Sequence, residues 1–118
     1  MNPMKKLLSI LYFFLFLSYF SISQCPVGDL NIYGQGDIDN FKTLYPNCKS
    51  INGNLNIQST SSYVIDLSGI KQLTQVSKSI NIFSNPALEN IALDSLKVLG
   101  ENIIIIENQF LKSIDIPT

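Results

Sequence analysis

The residues that could do chemistry in this chain are few. Asp37 and Asp39 are acids two positions apart, Glu101 and Glu107 flank a run of four isoleucines, and serines and threonines are plentiful. General acid–base or nucleophilic catalysis needs a group to move the proton, and the 118 residues contain no histidine. No Gly-rich phosphate loop of the GxxxxGK kind is present. Asp37 and Asp39 fall at the start of a predicted helix, where negative charge favours the dipole. Glu101 and Glu107 suit the role of gatekeepers against strand aggregation. The scattered Asp and Asn side chains lack EF-hand or nonapeptide spacing for calcium. The expectation is a protein that is not an enzyme and carries no metal and no cofactor.

Two cysteines remain, Cys25 and Cys48. A reactive or metal-binding pair would need a second pair of thiols or a histidine to complete a site. In a protein routed to an oxidising compartment the expected state is a disulfide, worth roughly 3 kcal/mol on chain-entropy grounds.

That routing is read from the first residues. "MNPMKKLLSILYFFLFLSYFSISQ" has Lys5 and Lys6 at its positive start, an apolar core from Leu7 to Phe20, and small Ser21 and Ser23 before Gln24. This is the pattern of a secretory signal peptide over residues 1–23. An uncleaved anchor is the alternative, since the apolar run is marginal against the roughly 20 residues of a spanning helix. A lipoprotein reading of "ISQC" puts Gln24 where a small residue is expected. The membrane is then met only during export, and the protein is secreted, extracellular or held at the cell surface. Residues 24–118 carry six lysines and nine acids, with no arginine. That balance excludes a nucleic-acid surface, which needs clustered basic side chains.

Such sparse chemistry must be positioned by something, and the sequence supplies a repeat. "VGDLNI", "INGNLNI", "VSKSINI" and "LGENIII" end at Ile32, Ile57, Ile82 and Ile105, at steps of 25, 25 and 23 residues. A second register agrees. Val64, Leu67, Ile70, Leu73 and Val76 fall at every third position, Leu88, Ile91, Leu93, Leu96 and Leu99 follow, and "NPALENIAL" reappears 23 residues later as "NQFLKSIDI". A period in the twenties predicts a mainly β, right-handed parallel β-helix or solenoid with coils of about 23–25 residues. Within "GNLNI", Leu55 and Ile57 would face in while Asn54, Asn56 and Gln58 face out. Gly53 and Gly100 suit the bend into each strand.

"GDIDNFKTLYPNC" departs from the repeat. Ile38, Phe41, Leu44 and Tyr45 have helical spacing, with Asp37 as N-cap and Pro46 as the stop. It predicts a short helix capping the open first coil. The expected organisation is a disulfide-framed N-terminal cap over residues 24–50, with the first strand and that helix, followed by repeats over residues 51–118. The repeats stop in mid-period, so the expectation is either a truncated piece of a longer repeat protein or a last coil whose open end something else covers.

Taken together, "CPVGDLNIYGQGDIDNFKTLYPNCKSINGNLNI", the arm "DLSGIKQLTQV" and "IFSNPALENIALDSLKVLGENI" resemble the receptor L-domain family as it occurs in secreted and surface proteins of Bacteroidota. The run "ENIIII" departs from that family's Gly-Gly and Asn-rich strand. The resemblance implies a leucine-rich β-helix that binds and does not catalyse, and it carries over no catalytic residue.

If Leu30, Leu55, Ile80 and Ile103 face in, two outward rows follow. One is a polar ladder of Asn31, Asn56 and Asn81 ending on Ile104; the other is Tyr33, Gln58, Phe83 and Ile106. Tyr33, Phe83, Ile104 and Ile106 would form an apolar strip, which on a soluble domain marks an interaction surface unless neighbouring chain covers it. The expected function is a binding or adhesion module for a protein or glycan ligand. The alternative is a structural spacer that displays other domains and has no ligand. Self-association through the open C-terminal coil is one way to cover that end.

Overall fold

The computed structural model describes residues 25–117, so the signal peptide expected over residues 1–23 lies outside the described residues. Short strands alternate side chains between core and solvent, as the pleat requires. Strand β1 (Leu30–Ile32) buries Leu30 and Ile32 and turns Asn31 outward. The helix α1 (Gln35–Leu44) follows, then β2 (Ser50–Ile51) and β3 (Leu55–Gln58). A 3-10 turn (Ser68–Ile70) precedes β4 (Gln75–Val76), β5 (Ile80–Phe83) and β6 (Asn90–Ala92). Strands β7 (Val98–Leu99), β8 (Ile103–Ile106) and β9 (Ser113–Asp115) complete the order.

All strand pairs are parallel. They form a four-stranded sheet β1-β3-β5-β8, a three-stranded sheet β2-β4-β7 and a two-stranded sheet β6-β9. The repeat fixes the register: Leu30, Leu55, Ile80 and Ile103 are successive partners, as are Ile51, Val76 and Leu99. Between the sheets lies one core, in which Leu55, Ile57, Ile80 and Ile82 meet Val64, Leu67, Ile70, Leu88, Ile91 and Leu93. Burial of each such side chain contributes roughly 1.5–3 kcal/mol before chain entropy is charged against it.

The architecture corrects the expectation of a mainly β, right-handed parallel β-helix. The molecule is a small domain of α/β type, with short parallel strands in three sheets and one helix. The sheets are unequal in width and no strand exceeds four residues. A repeat sets which residues pair between neighbouring strands, but it does not set how far each strand runs before the backbone turns. The helix is also more than a lid on the first repeat. Ile38 and Phe41 are buried in the common core, and the backbone at Gly69 approaches Ile38 so closely that a Cβ there would lie 2.3 Å from the Ile38 carbonyl oxygen.

Two local expectations are corrected as well. Asp37 is not the N-cap: Gly34 holds that position in extended conformation, and Asp37 sits in the first turn. Its carboxylate reaches back to accept the Tyr33 backbone N–H at 2.8 Å. The helix ends at Leu44, with the Tyr45 N–H donated to the Phe41 carbonyl and Pro46 next in the chain. Gly53 and Gly100 are needed for proximity and not for a bend, since neither has positive φ. A Cβ on Gly100 would stand 1.8 Å from the Ser77 carbonyl oxygen, and one on Gly53 would stand 2.5 Å from the Asp29 carboxylate. Only hydrogen fits between these stacked turns.

Candidate binding face

Of the two rows expected to face outward, Asn31, Asn56, Asn81 and Ile104 with Gln58, Phe83 and Ile106 lie on one face of the four-stranded sheet, and Tyr33 follows the last residue of β1. Asn56 donates its amide to Asn31 at 2.9 Å, and Asn81 donates to Asn56 at 2.7 Å. The chain of amides stops at β8, where Ile104 takes the register position opposite Asn81. Each link holds two neighbouring strands at a fixed spacing and uses one carbonyl and one amide that would otherwise bond water.

The second row is brought together only in part. Phe83 and Ile106 are register partners on β5 and β8, and Ile104 shares their face two residues before Ile106. Ile104 is 37% exposed and Ile106 49%, while Phe83 is half-buried. Tyr33, 51% exposed, stands apart. It follows the end of β1, strand β3 lies between β1 and β5, and Gln58 is the register partner of Phe83, so a polar position of β3 separates Tyr33 from Phe83. The apolar patch is therefore Phe83, Ile104 and Ile106, with Tyr33 across a polar gap.

Tyr33 is held in place from behind. Its carbonyl accepts the backbone N–H groups of Thr60 and Ser61 at 2.9 Å each, and the Ser61 hydroxyl at 3.0 Å. The loop of residues 59–63 is thus folded down beside Tyr33, and its own Tyr63 is exposed.

Sequence reasoning missed a further polar series at the start of each strand. The Asp29 carboxylate accepts the Asn54 N–H at 2.7 Å, the Asn54 side-chain oxygen accepts the Ser79 N–H at 3.0 Å, and the Ser79 hydroxyl accepts the Asn102 N–H at 3.3 Å. The backbone bond from Asn54, helped by its side-chain amide and by Lys78 against the cost of desolvation, holds the Asp29 carboxyl below its ordinary pKa. Another missed pair is Asn85 and Asn108. Fully buried Asn85 donates to the Ile57 carbonyl at 3.1 Å and to Asn108 at 3.0 Å, while Asn108 donates to the Ile82 carbonyl at 2.9 Å. The signal for both lies in the repeat spacing, which aligns Asp29 with Asn54 and Ser79 at steps of 25 residues and Asn85 with Asn108 at 23.

The acids considered for catalysis are all engaged in holding backbone or neighbouring side chains. Asp37 accepts from Tyr33, Asp39 from the Gln35 amide, Glu101 from the Ser79 hydroxyl and Glu107 from the Ser84 hydroxyl. Asp66 has a lowered pKa because the Ser68 hydroxyl and N–H both donate to it. A cleft of about 310 Å³ lies between β1 and α1, but the two carboxylates that line it, Asp29 and Asp37, are those already committed to backbone N–H groups. Among the described residues no group of three or more His, Cys, Asp or Glu side chains could hold a metal ion. Cys25 and Cys48 are joined in a disulfide, which ties the chain before β1 to the segment after α1. Among the same residues no helix is long and apolar enough to cross a membrane. No protein-family model, no curated protein and no solved structure matches this chain.

Proposed function

We propose that this chain is a secreted or cell-surface binding module, without catalysis of its own, that engages a protein or glycan through the outer face of the four-stranded sheet. The observation that carries this reading is the patch of Phe83, Ile104 and Ile106, apolar side chains exposed or half-exposed on a face whose other positions are amides. Large apolar groups side by side on a sheet lose hydrophobic free energy to water, and a partner that covers them recovers it. The asparagine ladder beside them pre-organises the face, which lowers the entropy cost of binding. The disulfide supports an oxidising compartment, and the leader-like residues 1–23 support export. The resemblance of residues 24–118 to the receptor L-domain family supports binding over catalysis.

The test is a screen of the oxidised protein against a glycan array and a panel of immobilised extracellular proteins, run beside a Phe83→Ser/Ile106→Ser double variant. A bound species should lose at least about tenfold in affinity in the variant, since each side chain contributes roughly 1.5–3 kcal/mol when covered. Far-UV circular dichroism should not change. Binding that is indifferent to both substitutions, or no binding at all, removes this face as the site and leaves the spacer role.

A further inference from the structure

Asparagine is among the side chains that decay chemically in folded proteins, and the fold treats one asparagine of this chain unlike the rest. Asn52 is the only asparagine in the sequence that precedes a glycine. Asn31, Asn56, Asn81, Asn90 and Asn102 precede isoleucine, whose branched side chain crowds the backbone nitrogen that follows. At Asn56 and Asn81 that nitrogen also belongs to a strand, and the side-chain amide is tied into the ladder.

Asn52 differs on each count. It is exposed, it lies in the turn between β2 and β3, and the residue after it carries no side chain. Among the described residues the Gly53 N–H makes no hydrogen bond, although the Gly53 carbonyl accepts the Lys78 N–H at 3.1 Å. The Asn52 side-chain oxygen accepts the Ser77 hydroxyl at 3.3 Å, from the equivalent turn one repeat later. The glycine is imposed by packing. A Cβ at position 53 would stand 2.5 Å from the Asp29 carboxylate and 2.7 Å from the Gly28 carbonyl carbon. The stacking that requires Gly53 therefore leaves Asn52 without a shielding neighbour.

We propose that Asn52–Gly53 is a site of spontaneous covalent modification, in which the Gly53 backbone nitrogen displaces ammonia from the Asn52 side chain and water opens the resulting succinimide. The Gly53 nitrogen gives its proton to a solvent base and forms a bond to Asn52 Cγ. Charge gathers on Oδ1, where the Ser77 hydroxyl donates. The Cγ–Nδ2 bond then breaks, and Nδ2 takes up a proton from water and leaves as ammonia. Water adds to either ring carbonyl. Opening at Cγ leaves aspartate at position 52, whereas opening at the main-chain carbonyl leaves isoaspartate, with the main chain running through Cβ and Cγ and one carbon longer. The longer chain has no room beside Asp29, so isoaspartate loosens the bond from the Asn54 N–H to Asp29 that joins the starts of β3 and β1. None of this depends on the Phe83 face.

The test incubates the oxidised protein at neutral pH over several weeks and follows the tryptic peptide of residues 50–71 by mass spectrometry, with isoaspartate detected by enzymatic methylation of its free carboxylate. The expected result is the mass gain of an amide becoming an acid, located at residue 52, with a methylatable fraction and with Asn54 and Asn56 of the same peptide unchanged. Asn52→Gln, whose longer side chain would have to close a six-membered ring, should show no gain there. Ser77→Ala should slow the reaction about two- to tenfold, the worth of one hydrogen bond to the developing charge. The isoaspartate fraction, separated by chromatography, should melt below the unmodified protein. No gain at residue 52 in the folded protein overturns the proposal, as does a gain spread equally over Asn54 and Asn56. A Ser77→Ala protein that reacts at the parent rate or faster overturns the part assigned to its hydroxyl.

Discussion

Gly100→Ala tests the claim that successive turns stack with room only for hydrogen. The new Cβ would stand 1.8 Å from the Ser77 carbonyl oxygen and 2.6 Å from the Ser77 carbonyl carbon, both rigid backbone atoms. Relief requires the turn at Gly100 to lift, which stretches the bonds from the Gly100 N–H to Val76 at 2.9 Å and from the Glu101 N–H to Lys78 at 3.1 Å. Overpacking costs about 1–3 kcal/mol and each of the two loosened bonds about 0.5–1.5 kcal/mol, so a destabilisation of about 2–6 kcal/mol is expected. At about 4–8 °C per kcal/mol for a domain of this size, the melting temperature should fall by at least about 8 °C. The matched control is Gly36→Ala, on the exposed side of α1, where nothing lies within 4 Å of the added Cβ. There alanine should stabilise by about 0.5–1 kcal/mol, through helix propensity and a less disordered unfolded chain. Scanning calorimetry of the oxidised proteins measures both. A Gly100→Ala protein that melts within about 2 °C of the parent would refute the reasoning, because a shift that small leaves less than about 0.5 kcal/mol for the clash.

Other consequences can be checked on the same preparations. Reduction of the Cys25–Cys48 bond, or Cys48→Ser, should cost about 3 kcal/mol in urea unfolding through the loop it closes; an unchanged midpoint would exclude that contribution. Asn85→Ala leaves the Ile57 carbonyl and the Ser59 hydroxyl without their buried partner and should cost about 2–4 kcal/mol by the same assay. Asp29 has a folded pKa below its ordinary 3.8, so its contribution is complete above that value and is lost as pH falls through the lower, folded one. The stability gap between the parent and Asp29→Asn should therefore be widest near neutral pH and close on acidification below pH 3.8; a gap constant through that window would contradict the assignment.

What was legible in the sequence was whatever depends on pairing between repeats. Steps of 25, 25 and 23 residues name the partners Leu30, Leu55, Ile80 and Ile103, because parallel neighbours must match apolar with apolar on the core side. The helix and the disulfide were legible for local reasons, helical spacing before a proline and two cysteines behind a leader-like run of residues. Burial at the last repeat was not. Ile103 copies Ile80 in type and register yet is exposed, since burial depends on what lies on the far side of a strand and no pattern within the strand records that. The outward strip was legible as a list of residues but not as a surface, because β3 places Gln58 between Tyr33 and Phe83.

The class of fold was hidden in a difference of one residue inside the connecting arms. In the first arm Leu67 and Ile70 are three apart and span the 3-10 turn, whose period is three residues. At the corresponding place in the second arm Ile91 and Leu93 are two apart, the period of a strand, and β6 forms there; Ile114 and Ile116 repeat that spacing across β9. The third sheet has two strands for this reason, since the first arm has no extended segment to add to it. The same turn carries Gly69 against the Ile38 carbonyl, so the geometry that withholds a strand from the third sheet also gives α1 its seat in the core. A repeat read as uniform predicts equal sheets throughout, whereas a single residue gained or lost within an arm exchanges a turn that packs on a helix for a strand that pairs with its neighbour.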